Sequence, residues 1–298
     1  VAPATPGSMS ADGPRRRVPA RVGSSDGVQV AVHELGGDGP VLLVGHATGF
    51  HGRCYLPMAA SLAERYRCVA FDYRGHGDTP MPSGVAVSWE RYGDDATAVA
   101  RAVSAATGAP LVAFGHSMGG ACLLMAARRE PELFERLVLF EPIVFPPGGV
   151  RDPEAGPSPL IAGARRRRAS FPTLEEAIAN YAAKPPLGAF TPAALDAYVR
   201  FGFRRGDDGQ FHLCCDPEVE AATFEAGSEH RTWDALEEIE VPVLVVAGRV
   251  DADQPSAIAA AVAERLPRGR YLEVPEIDHF GPMVRPDLVA AIVAGAHG

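Results

Sequence analysis

The 298-residue sequence has little with which to hold a disulfide framework, a metal cage or a polyanion. It contains five cysteines, an odd number with no C-x-x-C spacing, which argues against both a disulfide scaffold and a structural zinc site. The adjacent Cys214-Cys215 reads as two ordinary thiols, and a reducing cytoplasm is the expected location. Net positive charge is also missing. Lys and Arg total 28 against 37 Asp and Glu, and the formal charge of -9 offers no general attraction to nucleic acid or an anionic membrane. Long apolar runs are absent, so no membrane span is expected. Residues 1–20 are rich in Pro, Gly, Ala and Ser, carry Arg15-Arg16-Arg17, and have neither the pattern of a signal peptide nor that of an anchor. They read as a disordered tail or an added leader, with Gly7-Ser8-Met9 at the junction to a natural start. Nothing implies a metal or an organic cofactor. The expected partner is a small molecule, and a homodimer is compatible with the composition.

What is present is a large apolar fraction, 47% of residues, enough for one sizeable core with or without an inserted subdomain. Continuous apolar runs at Val41-Leu42-Leu43-Val44, Cys68-Val69-Ala70-Phe71, Leu137-Val138-Leu139-Phe140 and Val243-Leu244-Val245-Val246 have the character of strands buried on both faces of a parallel sheet. Residues 19–24 and 29–35 flank Ser25-Asp26-Gly27 and predict an antiparallel hairpin at one edge. Helical spacing is found over 56–65, 89–106, 118–129, 255–266 and from Pro286 onward. One run ends differently. In Ala113-Phe114-Gly115-His116-Ser117-Met118-Gly119-Gly120 the strand must reverse sharply into a helix, with Ser117 at a strained, positive-φ corner and small residues two positions to either side. The Met118 N–H would then lie at a helix N-terminus, aimed at developing negative charge.

This G-x-S-x-G elbow, and the loop Asp72-Tyr73-Arg74-Gly75-His76-Gly77-Asp78-Thr79 that matches D-x-R-G-x-G-x-S with threonine last, resemble the α/β-hydrolase family, in its serine-nucleophile branch. The resemblance runs over about 21–145 and from about 241 to the C-terminus. It implies a mostly parallel eight-stranded sheet flanked by helices, with core segments 21–145 and 235–298 and a helical cap inserted at 146–234. The cap is expected from the break in strand and helix alternation after Glu141-Pro142, with helical patterns around 174–183 and 192–201. In this family His46-Ala47-Thr48 would present the Thr48 N–H as a second oxyanion donor, with Ala47 where glycine is usual. His46 and His51 are read as loop-anchoring groups, and Asp72, Arg74 and His76 as loop-ordering ones. Arg165 to Arg168 are read as a solvated surface, since four consecutive arginines on a helix point in four directions.

A serine hydroxyl needs a base held by a carboxylate, and in this family the chain order is Ser, acid, His. Ser117 is the expected nucleophile and His279 the base. Asp251, three residues after Gly248, is the favoured acid on motif register, with Asp253 and Glu141 as alternatives. Asp278, before the histidine, stands where relatives commonly have glycine. Phe50, Phe145, Tyr181, Tyr198 and Phe280 are candidates for an apolar substrate pocket. The resemblance implies hydrolysis of an ester, thioester or lactone through an acyl-enzyme. Carbon–carbon cleavage, perhydrolysis or a biosynthetic cyclisation by the same triad is the alternative, and a ligand-binding receptor is the alternative of another class. Serine at the elbow, where epoxide hydrolases and haloalkane dehalogenases carry aspartate, argues against halide or epoxide substrates.

Overall fold

The structure, a computed structural model, describes residues 18–148, 158–252 and 254–296. Arg21–Gly23 (β1) and Gln29–Gly36 (β2) pair antiparallel, Val22 opposite Val30, around a turn in which Asp26 has φ 59°. Then come Val41–Gly45 (β3), Leu56–Leu62 (α1), Arg67–Asp72 (β4), Trp89–Thr107 (α2), Leu111–His116 (β5), Met118–Arg129 (α3) and Phe134–Phe140 (β6). After β6 lie Pro159–Arg165 (α4), Ser170–Phe171 (β7), Leu174–Ala182 (α5), Pro192–Gly202 (α6), Phe203–Arg205 (β8), Phe211–Leu213 (β9) and Pro217–Glu225 (α7). The chain returns to the sheet with Val243–Ala247 (β10), Ser256–Arg265 (α8), Gly269–Glu273 (β11), Gly281–Val284 (α9) and Pro286–Gly295 (α10).

Eight strands form one sheet in the order β1-β2-β4-β3-β5-β6-β10-β11. From β4 to β11 every pairing is parallel, and only β1 and β2 run against their neighbours. Every residue of β3 and β5 is buried, as their unbroken apolar runs require. One apolar layer, including Val99, Val103, Leu123 and Val262, lies between the sheet and α2, α3 and α8. The opposite layer, including Met58, Leu62, Val289 and Val293, lies under α1, α10 and the cap. Among the described residues no helix is long and apolar enough to cross a membrane.

The cap contains the two expected helices, α5 and α6, each started by a threonine: Thr173 Oγ1 accepts the Glu176 N–H at 3.1 Å and Thr191 Oγ1 the Ala194 N–H at 3.2 Å. It also contains a feature with no sequence counterpart, the antiparallel ribbon β7-β9-β8. Strands of two or three residues are too short to display an alternation. In the arginine run Arg165, Arg166 and Arg168 are exposed as expected, and Arg167 is not. The helix α4 stops at Arg165, so the four side chains do not follow one helical rotation. Arg165 pairs with Glu218 and Glu225, Arg168 lies over the Phe171 ring, and Arg167 turns inward to Glu220.

The loops at the C-terminal ends of the strands are tied by buried charge. Arg74 donates to both oxygens of Asp95, at 2.9 and 2.7 Å, with both side chains out of solvent. Asp72 accepts from His33 and from the Gly52 and Asp78 N–H groups. The elbow helix approaches the sheet closely enough that a Cβ on Gly119 would stand 2.2 Å from the Gly45 carbonyl oxygen. Gly119→Ala should therefore lower the unfolding free energy by about 1–3 kcal/mol, read as a lower urea midpoint at unchanged m-value. Gly163→Ala, in α4 with none of the described residues within 4 Å of its added methyl, should raise stability by roughly 0.5–1 kcal/mol instead.

Candidate active site

Ser117 sits between β5 and α3 with φ 56° and ψ -116°, a conformation that costs a non-glycine residue about 1–3 kcal/mol. The surroundings hold it there. Its N–H donates to the Phe140 carbonyl at 2.9 Å, and its own carbonyl accepts from Gly120 at 3.0 Å and Ile143 at 3.2 Å. Met118 is the first residue of α3, so its N–H has no carbonyl within the helix to bond. Across from it the turn after β3 closes with the Phe50 N–H on the Ala47 carbonyl at 3.1 Å, placing buried Thr48 inside the turn and Gly49 at φ 75°.

Glu141, the residue after β6, is wholly buried and also left-handed, at φ 45°. Its two carboxylate oxygens take two different donors. Oε1 accepts the Gly248 N–H at 2.8 Å, and Oε2 accepts from His279 Nδ1 at 2.6 Å. A hydrogen bond of this length to a carboxylate is charge-assisted, and it fixes the imidazole with its proton on Nδ1 and its lone pair on Nε2.

The expectation that Asp251 would face His279 is therefore corrected: the Nδ1 position belongs to Glu141. The backbone explains the difference. A Cβ on Gly248 would be 2.5 Å from the Ile277 carbonyl, and the Arg249 N–H donates to that same oxygen at 2.7 Å, so the chain leaves β10 pressed against the histidine loop by its main chain. By Asp251 the side chain is exposed, with its N–H on Ser256 Oγ at 3.1 Å. Asp253 lies outside the described residues. Asp278 is exposed and accepts the Phe280 N–H at 2.9 Å, ordering the loop.

Two residues that sequence reasoning passed over stand at the centre. His116, the variable position of the elbow, is fully buried. Its Nε2 donates to the His279 carbonyl at 2.8 Å, and its Nδ1 accepts from Tyr55 Oη at 2.8 Å. Tyr55 Oη in turn accepts the Ala47 N–H at 3.3 Å. Burial, reinforced by the neighbouring His279, pushes the His116 pKa well below the usual imidazole value, so it is a neutral link between the β3 turn and the histidine loop. The available signal was a polar residue ending a wholly apolar strand, where each buried nitrogen needs a partner.

His46 and His51 take structural places. His46 Nδ1 donates to the Ala47 carbonyl at 2.8 Å, and burial, reinforced by neighbouring His76, lowers its pKa to about 3. His51 Nε2 donates to the Tyr198 carbonyl in the cap at 3.1 Å. Of the pocket candidates, Phe50 meets Tyr198 at 5.3 Å, Phe280 at 6.4 Å and His116 at 6.3 Å between ring centroids. Phe280 adjoins the His279 ring at 5.6 Å, and Phe190 completes the group at 5.8 Å from Phe280. Tyr181 touches this group through Tyr198, at 5.6 Å. Phe145 is half-buried and makes no ring contact among the described residues. Ser117 is 6% exposed. His33, Asp72 and Asp78 have side-chain donor atoms within 4.8 Å of one another, a spacing open to a metal. Their atoms are committed to each other, to the Gly52 N–H, and to Arg53 and Arg204.

Relatives reinforce the architecture. A 98-residue stretch is 35% identical to protein phosphatase methylesterase 1 of Bos taurus, covering 32% of this chain and 26% of that protein, so the match spans about a quarter of the relative's length. Over 260 residues the chain is 26% identical to 2-(acetamidomethylene)succinate hydrolase of Mesorhizobium japonicum, covering 85% of this chain and 86% of the other. A crystal structure of E-2-(acetamidomethylene)succinate hydrolase superposes with a TM-score of 0.72 at 22% identity, covering 92% of this chain and 97% of that one, a likeness of fold. The family profile matches residues 41–292, and with the eight-stranded sheet and inserted cap already described, the chain belongs to the alpha/beta hydrolase family.

Proposed function

We propose that the protein is a serine hydrolase acting on a carboxylic ester, thioester, lactone or related acyl derivative of a small, largely apolar molecule. The observation that carries this reading is the 2.6 Å contact between His279 Nδ1 and the buried Glu141 carboxylate, with Ser117 held in its strained turn at the end of the adjacent strand. In this reading Glu141 keeps the imidazole in one tautomer, leaving Nε2 as the base that takes the Ser117 proton. The Ser117 oxygen attacks the acyl carbon, and the Met118 and Thr48 N–H groups receive the oxyanion. His279 returns the proton to the leaving group, and water then cleaves the acyl-enzyme with His279 again as base. The rings of Phe50, Tyr198, Phe190 and Phe280 suit an apolar substrate. The names of a methylesterase and of a 2-(acetamidomethylene)succinate hydrolase among the relatives support acyl-group hydrolysis.

A fluorophosphonate should label Ser117 in the folded protein, and short-chain p-nitrophenyl esters should be turned over by wild type and not by Ser117→Ala. Absence of labelling would overturn the assignment of an activated serine. Between the acids, Glu141→Gln should lower kcat by about 10³–10⁴-fold, whereas Asp251→Asn should stay within roughly threefold of wild type. The reverse order would return the role to the β10 loop. His116→Leu should slow both labelling and kcat by about 10–10²-fold with a smaller change in KM, because it releases the His279 main chain without touching the substrate. An unchanged labelling rate would reduce His116 to a packing residue.

A further inference from the structure

The cap carries a second buried carboxylate. Glu220, on α7, is 2% exposed, and burial pushes its carboxyl pKa up while Arg167 opposes the shift. Arg167 Nη2 lies 3.0 Å from Glu220 Oε1, and its Nη1 donates to Tyr198 Oη at 2.6 Å. Two atoms of this group have no hydrogen-bond partner among the described residues: Glu220 Oε2 and Tyr181 Oη. Both side chains belong to residues more than nine-tenths buried, Tyr181 being 6% exposed. Buried polar atoms in proteins are mostly paired. Among the described residues Tyr73 Oη, His76 Nε2, Arg136 Nε, His230 Nε2 and Arg265 Nε are also unpartnered. Glu220 Oε2 and Tyr181 Oη stand out in combining an acceptor and a hydroxyl around one Arg167–Tyr198 link in the cap.

Its position says what that is. A Cβ on Gly49 would lie 2.4 Å from Glu220 Oε1, so the carboxylate rests against the backbone of the turn after β3. Gly49 follows Thr48, one residue span (about 3.8 Å) away. Tyr198, which receives the Arg167 hydrogen bond, stands 5.3 Å from Phe50 and 5.6 Å from Tyr181. The cluster thus borders the aromatic group on the cap side, while the His279–Glu141 pair borders it from the sheet.

We propose that Glu220 Oε2 and the Tyr181 hydroxyl form a polar recognition subsite for the far end of the acyl chain. Its ligand is a neutral group with both an N–H or O–H donor and a carbonyl acceptor, of which a primary carboxamide is the simplest. The inference rests on the hydrolase reading above for the position of the acyl carbon. Charge selects the class. Arg167 already balances Glu220, so a carboxylate tail would face an unpaired carboxylate oxygen, and an alkyl tail would leave both polar atoms unmet. A carboxamide gives its N–H to Glu220 Oε2 and accepts from Tyr181 Oη.

The test compares p-nitrophenyl hexanoate with the ester whose terminal methyl is replaced by a carboxamide. In wild type kcat/KM should favour the carboxamide ester by about tenfold or more, the worth of one well-made buried hydrogen bond. Tyr181→Phe, which removes one hydroxyl, and Glu220→Met should each bring that ratio toward one. A wild-type ratio at or below one, or a ratio that neither variant changes, overturns the subsite. Binding is read separately on Ser117→Ala protein, where hexanamide should raise Tm more than its methyl-ketone isostere does, and the difference should vanish once Tyr181→Phe is added. Equal shifts overturn the subsite whatever the esters do, whereas a missing fluorophosphonate adduct on wild type with unequal shifts overturns only the hydrolase reading.

Discussion

The Glu141 carboxylate is the interaction on which the rest of the site depends. It joins three segments far apart in sequence: the end of β6 that carries it, the Gly248 N–H after β10, and the His279 ring after β11. A carboxylate with no solvent exposure costs several kcal/mol to bury unless its oxygens are met, and here each oxygen has a donor. The same contacts fix the histidine from both sides. Glu141 holds the ring, and His116 holds the main-chain carbonyl. Ser117 and Glu141, both left-handed, are joined through Phe140 and Ile143, so the two strained turns brace each other.

How much of this was legible follows from physical range. The parallel strands could be read because a strand covered on both faces is apolar throughout, and β3 and β5 are buried at every position. The positive-φ turn at Ser117 was legible from the glycines beside it, and the loop position of His279 from its place after the last strand. The partner of His279 was not. Register after Gly248 favoured Asp251, but the direction in which that loop leaves the sheet is set by the Gly248 N–H on Glu141 and the Arg249 N–H on Ile277, contacts between distant segments. A buried acid directly after an apolar strand was the signal for Glu141, and a histidine ending an apolar strand was the signal for His116.

In the cap, the helical spacing of α5 and α6 was legible, and what depends on tertiary contact was not. The ribbon β7-β9-β8 is built from strands too short for a pattern, and it buries Phe171 and Phe203. Of the arginine run, Arg165, Arg166 and Arg168 are exposed as expected, and only Arg167 departs, because α4 ends at Arg165. Arg167 instead turns toward Tyr198 and Glu220. The cap thereby brings aromatic rings against Phe50 and a charged pair against the turn at Gly49.

The most direct test of the account is nuclear magnetic resonance of protein labelled at the histidine imidazoles with nitrogen-15, assigned to His279. The geometry predicts a protonated Nδ1 and an unprotonated Nε2, with a strongly downfield Nδ1 proton that persists in Asp251→Asn and disappears in Glu141→Gln. A downfield proton that survives in Glu141→Gln and is lost in Asp251→Asn would contradict it.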